Sequence, residues 1–386
     1  MNLLKKYPES FLIFFIYASR AAKNLFSQYF DQSGFTASQI GILMAVLPVV
    51  TLFVNPFWFK MGKKFTEKRV YMVLAIVTAF TIWGVFIFEG FISKLIFFSI
   101  ASIFYASVIP LGESRIITSL KIKKRLYGRV RLWGTIGFGT TAVLIGMLVK
   151  TGFYNVFLVF SGVMLLSLPF LKHFSFNERR KTIGDERQKE FKGTGTFSMF
   201  LLLTAGMFCG VTMNAFHNTF IPLLTREKGF DVSSVGIVFM AMAFSEIPFL
   251  FFADRIVKRL GYLPVLTAGI FFEGLRIILV TLSSSLIMLI FSEFLHGVTY
   301  ILVYFSLFTY IHYELPKDQI TKAQSIFWVV RSGLTYITGS LLGGFLIDMI
   351  TTVTAFRLMG VLALSVAAFI TLISLFSRWK NRVSQN

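Results

Sequence analysis

About nine charged side chains lie well inside stretches that are otherwise long and apolar enough to cross a bilayer, Arg20, Lys23, Glu113, Arg131, Glu246, Glu273, Arg276, Glu293 and Arg331, with His296 beside them. An ionisable group at the bilayer centre costs about 2.5 kcal/mol or more unless it is paired or faces water. A set spread through both halves of the chain predicts helices that surround a polar pathway, as in a transporter, and argues against a simple membrane anchor. Spacing then suggests the chemistry. Glu273 and Arg276 are three apart, so they share a helix face, as do Glu293 and His296. An arginine fork and a carboxylate can pair and still offer hydrogen bonds to a solute, which suits Glu113 and Arg131. A carboxylate beside a histidine in a dry site can take up and release a proton. Glu293 with His296 is therefore one candidate proton carrier, and Glu246 is its rival. At about 1.5 Å rise per residue, His296 lies roughly 16 Å into its helix, near the midplane where carriers place their sites.

A second group begins the chain. Arg20, Lys23, Asn24, Ser27, Gln28 and Asp31 recur at spacings of three and four, which makes one polar stripe on a helix. Arg20 sits too deep to reach the interface, so the stripe must face a cavity or pair with acids of another helix. About five intramembrane cations (Arg20, Lys23, Arg131, Arg276, Arg331) stand against four acids (Glu113, Glu246, Glu273, Glu293), a small excess that mildly favours an anionic solute. Asn214 and His217, with Asn218, form a smaller polar cluster and are candidate ligand contacts.

The elements that must carry these residues are legible from composition. The 386 residues are 55% hydrophobic and 15% charged, with a mean hydropathy of +0.74. A soluble domain is nearer 45–50% apolar. The apolar blocks predict an all-α integral membrane protein of about twelve helices, near residues 9–30, 36–58, 70–90, 93–118, 128–149, 152–172, 197–224, 231–253, 262–283, 285–312, 322–347 and 351–377. The polar run 173–196 divides them into an N-terminal bundle, 1–172, and a C-terminal bundle, 197–386. Lys60, Lys63, Lys64, Lys68 and Arg69, then Lys121, Lys123, Lys124 and Arg125, then the 173–196 run, fall in alternate loops. The positive-inside rule puts those loops and both termini in the cytoplasm. The net charge of +20 comes from these loops and not from one folded basic face, so nucleic acid is not the expected partner. A single cysteine, Cys209, excludes a disulfide or metal cluster built on thiols, and the four histidines are scattered. No metal or cofactor is expected.

The halves echo each other. Phe35-Thr-Ala-Ser-Gln-Ile-Gly41 opens one helix and Phe230-Asp-Val-Ser-Ser-Val-Gly236 another, and each of those helices ends in a basic turn. A six-plus-six repeat resembles the major facilitator superfamily of transporters. The turn Asp254, Arg255, Lys258, Arg259, Gly261 is similar to the superfamily's loop motif, which acts in its conformational change. Tyr127-Gly-Arg-Val-Arg-Leu-Trp-Gly134 resembles the start of helix 5 in the lactose permease and phenylpropionate permease group of proton symporters. That resemblance pairs Arg131 with Glu113 at the substrate site. It also puts Phe138 where the lactose permease stacks a tryptophan on sugar, and matches Glu246, Arg276 and His296 to the proton-coupling residues. Thr299 stands where the lactose permease carries a further glutamate, which brings the chain nearer the phenylpropionate branch. Arg20, Lys23 and Arg331 have no counterpart in the pattern.

Together these readings predict a carrier of a small polar or anionic organic solute, such as an aromatic carboxylate, sugar or nucleoside. It would work by alternating access and proton-coupled uptake, as a monomer in a bacterial-type cell membrane. Export by proton antiport on the same scaffold is the alternative. An intramembrane enzyme would need a nucleophile pair or a metal cluster, and a channel a repeated filter motif; neither pattern is present.

Overall fold

The computed structural model describes residues 7–123, 127–173 and 195–383, and within them every regular element is a helix. Lys124, Arg125 and nearly all of the 173–196 run lie outside the described residues. Among those described, ten helices are long and apolar enough to span a membrane. They are α2 (Ala37–Phe65), α3 (Glu67–Ile87), α4 (Phe91–Leu120), α5 (Tyr127–Thr151), α6 (Tyr154–Lys172), α7 (Phe197–Glu227), α8 (Ser234–Leu260), α9 (Tyr262–Leu282), α10 (Leu286–Tyr313) and α12 (Thr352–Phe376). Two further helices are interrupted. Helix α1 (Pro8–Asn24) continues after Leu25 as Phe26–Gln32, and α11 (Lys317–Val329) passes through a π turn, Val330–Leu334, into Thr335–Met349.

The departures from the expected bounds have local causes. Helix α1 was expected to run unbroken over 9–30. At Leu25 the backbone N–H is shared between the carbonyls of Ala21 and Ala22, and the Ser27 hydroxyl donates to the Asn24 carbonyl at 3.0 Å. A serine competing for helix carbonyls in this way loosens the regular ladder. Helix α10 tightens at Phe294–Leu295, where Leu295 N–H bonds the Ser292 carbonyl three residues back. That turn separates Glu293 from His296. The start of α2 is fixed by a capping box between Thr36 and Gln39, and the start of α9 by Gly261 at φ +87°, a conformation only glycine adopts cheaply.

The chain forms two compact units. One is Met1–Gln188 with Ile221–Phe244, the other Lys189–Phe220 with Ser245–Asn386, so the division falls inside α7 and α8. In the first unit α1 packs against α4, α5 and α6. A side-chain carbon at Gly137 would lie 2.3 Å from the Phe14 carbonyl oxygen, so only glycine lets α5 come this close to α1. In the second unit α9 packs on α10 and α12, and α10 approaches α8 at Gly297. Its N–H donates to the Ser245 hydroxyl at 2.9 Å, and a Cβ there would sit 1.9 Å from the Ser245 carbonyl. Because the obstacle is backbone, it cannot swing aside. Gly297→Ala should force the two helices apart, at the overpacking cost of about 1–3 kcal/mol, read as a lowered melting temperature in detergent.

Candidate functional site

The contact at Gly297 has a chemical consequence, because the next residues along are His296 on α10 and Glu246 on α8. His296 Nε2 lies 3.2 Å from Glu246 Oε1, and its Nδ1 lies 3.2 Å from Asn214 Nδ2 on α7. Asn218 donates to Asn214 Oδ1 at 2.9 Å, one helical turn on. The result is a polar chain, Asn218–Asn214–His296–Glu246, in which Asn214 and His296 are buried and Glu246 is half-buried.

A second cluster lies in the same unit. Arg276 on α9 donates through Nη2 to Glu273 at 2.6 Å and through Nη1 to Glu293 Oε2 at 2.9 Å. The other oxygen of Glu293 lies 2.9 Å from His217 Nε2 on α7. Arg276, Glu293 and His217 are all 0% exposed and Glu273 is 1% exposed. Burial this complete is tolerable only because the charges face one another. Asn214, Glu273, Thr299 and Tyr300 line a small space that adjoins both clusters.

The structure thus distributes the candidates differently from their spacing along the chain. Glu293 and His296 share a helix face, yet each takes a different partner: Glu293 has His217 and Arg276, while His296 has Glu246 and Asn214. The tight turn at Phe294–Leu295 falls between them. His217, proposed from sequence as a solute contact, sits instead against a buried carboxylate, and Asn214 sits against the second histidine. Arg331 lies in the π turn of α11, and its guanidinium is 4.7 Å from the Tyr304 ring centroid and 5.4 Å from that of Trp328. It donates to the Tyr300 hydroxyl, and Tyr300 stacks on His296 with centroids 5.5 Å apart. π turns recur at functional positions in helices.

In the first unit, Glu113 accepts the Tyr17 hydroxyl at 2.5 Å and the Tyr127 hydroxyl at 3.3 Å. Arg131 lies over the face of Tyr17, 3.9 Å from the ring centroid, and Arg20 lies 5.9 Å from it. Tyr17 therefore joins the acid and the arginine that the sequence paired directly. Its place was readable, since it falls three residues before Arg20 on the polar stripe. Phe138 meets Phe239 edge to face at 6.4 Å. The far end of the stripe is tied to the α7–α8 turn: Gln28 donates to the Val232 carbonyl at 2.7 Å, and Asp31 pairs with Arg226 at 2.7 Å. Beside these, Lys150 pairs with Asp231 at 3.0 Å. Hydrogen bonds from the Ser233 hydroxyl and backbone N–H, with Lys150, hold the Asp231 carboxyl down to about 2, so Asp231 stays ionised across physiological pH. The loop-motif residues Asp254, Arg255, Lys258 and Arg259 occupy the exposed last turns of α8, and Gly261 makes the turn that follows.

These features have relatives. The chain is 24% identical over 342 residues to the maltose permease of Geobacillus stearothermophilus, covering 88% of this chain and 86% of that one. It is 22% identical over 327 residues to a probable 3-phenylpropionic acid transporter of Escherichia coli (strain K12), covering 81% and 83%. The crystal structure of the nucleoside transporter NupG superposes with a TM-score of 0.81 at 18% identity, over 96% of this chain and 99% of that one, which shows a shared fold. A family model, the MFS_1 like family, matches residues 9–358, and the chain belongs to that family as a multi-pass membrane transporter of small molecules, not an enzyme.

Proposed function

We propose that the chain imports a small polar or anionic organic solute by symport with protons, and that the cluster around Glu293 binds the coupled proton. Charge balance carries the reading. Glu273, Arg276 and Glu293 sum to one negative charge, so with a neutral His217 the cluster is buried one positive charge short. One proton, on His217 or on Glu293, makes it neutral. A dry cluster resists a net charge, which favours taking up one proton; opening to water removes that preference and lets the proton leave. Arg276 keeps Glu273 as a partner in either state, so the helices need not unpack as the proton comes and goes. Glu246 with His296 is a second position of the same kind, half-buried where the first is closed.

The solute would meet Arg20, Lys23, Glu113, Arg131 and Phe138 from the first part of the chain, and Asn214, His217 and Arg331 from the second. The same reading makes 1–172 and 197–386 two six-helix bundles joined by a cytoplasmic linker. Alternating access would use the turn from Asp254 to Gly261. The protein would act as a monomer in the cell membrane with both termini in the cytoplasm. The test is flux into proteoliposomes. Uptake should saturate, rise when the outside is more acidic than the lumen, and fall to the equilibration level when a protonophore collapses the gradient. Uptake indifferent to the protonophore would exclude proton coupling, and accumulation driven in the opposite sense would make the protein an exporter.

A further inference from the structure

The first unit holds a cation that none of its described residues answers. Lys23 lies one turn beyond Arg20 on the polar stripe, and both are half-buried among apolar helices. Among the described residues, no acid lies within ion-pair distance of the Lys23 ammonium, and it donates no hydrogen bond to any of them. The contrast within the same unit is direct. Lys94, also buried, donates to the Tyr29 hydroxyl at 2.5 Å and the Val85 carbonyl at 2.7 Å, and Lys123 reaches Glu9 at 2.5 Å. Close by, the charges acting on Tyr17 are those of Arg131, Glu113 and Arg20. The Glu113 carboxylate already accepts two phenol hydroxyls.

From this we infer that Lys23 and Arg20 form the seat of a solute's anionic group, a carboxylate or a phosphate ester, and that the transported solute is an organic anion. The inference rests on the reading that α1 faces the transport path. A planar guanidinium accepts two oxygens of such a group, and an ammonium adds a point charge with three donors. An anion bound there supplies the countercharge that Lys23 does not find among the described residues, and a neutral solute of the same shape does not.

The experiment uses the full-length protein in detergent with no proton gradient, so it reports on binding whether or not transport is proton-driven. Melting temperatures are measured with matched pairs: 3-phenylpropionate against 3-phenylpropanamide, glucuronate against glucose, and uridine 5′-monophosphate against uridine. The expected result is that the anion of at least one pair raises the melting temperature of the wild type and its neutral twin does not. Lys23→Gln should erase that difference and Lys23→Arg should retain it. Without added solute, Lys23→Gln should melt no lower than wild type, because it removes a charge that no described acid balances. The inference is overturned if neutral twins stabilise as well as anions, or if no anion stabilises. It is equally overturned if Lys23→Gln keeps the anion response, or if that variant alone melts lower, which would make Lys23 a structural ion. Which pair responds separates a carboxylate from a phosphate ester.

Discussion

Glu293→Gln is expected to abolish proton-driven accumulation while leaving exchange of solute across the membrane intact. The amide keeps the shape and can still hydrogen-bond Arg276 and His217, but it carries no charge. The cluster then consists of Glu273 and Arg276, already neutral, and binding a proton would add an uncompensated charge where there is no water. The site loses its reason to take the proton, so the gradient has nothing to act on. Exchange needs only that the loaded carrier change state, which an already neutral cluster permits. Counterflow in proteoliposomes should therefore stay within a few-fold of wild type while net accumulation falls to the equilibration level. Accumulation that survives in Glu293→Gln and is lost in Glu246→Gln would move the coupling site to the His296–Glu246 pair.

Arg276→Gln should be the most destabilising single substitution in the second unit. It removes the one permanent cation between Glu273 and Glu293, all of them closed off from solvent. Breaking a buried pair by removing one partner costs about 3–5 kcal/mol, and here two carboxylates lose that partner. The loss should depend on pH in a definite direction. Protonating either carboxylate removes the offending charge, so the deficit should shrink as pH falls and grow as it rises. Charge counting also predicts a rescue. Glu273→Gln added to Arg276→Gln leaves only Glu293, with His217 as its remaining partner, and one proton balances that pair. The double variant should recover most of the stability at neutral pH, measured by thermal unfolding of purified protein. A double variant no more stable than the single one would show that Arg276 acts through its packing and not its charge.

The two predictions draw on different levels of information. Glu273 with Arg276 was readable along the chain because a three-residue spacing on a helix sets a shared face before any folding is considered. Glu293 with His296 had the same spacing and did not pair, because the turn at Phe294–Leu295 divides their helix and α7 and α8 each bring a competing partner. His217 was visible as a polar residue in an apolar span, but no pattern within α7 says that it meets Glu293, 76 positions later in the numbering. Tyr17 was overlooked for a different reason. Tyrosine is ordinary in membrane helices, and only its place on the polar stripe, three residues before Arg20, could have marked it.

The sequence by itself determined that this is a polytopic α-helical transporter, about where its helices run, and which side chains are too costly in lipid to be incidental. Those properties are local: hydropathy sums over about 20 adjacent residues, and a buried charge is expensive wherever it lies. Only the tertiary structure decided which charge answers which. Pairing depends on where glycines such as Gly137 and Gly297 let backbones close, on where a helix breaks, and on which face of α7 meets α9 and α10. These are relations between distant segments that leave no trace in spacing along one of them. The same packing gives Glu293 two partners in the second unit and, among the described residues of the first, gives Lys23 none.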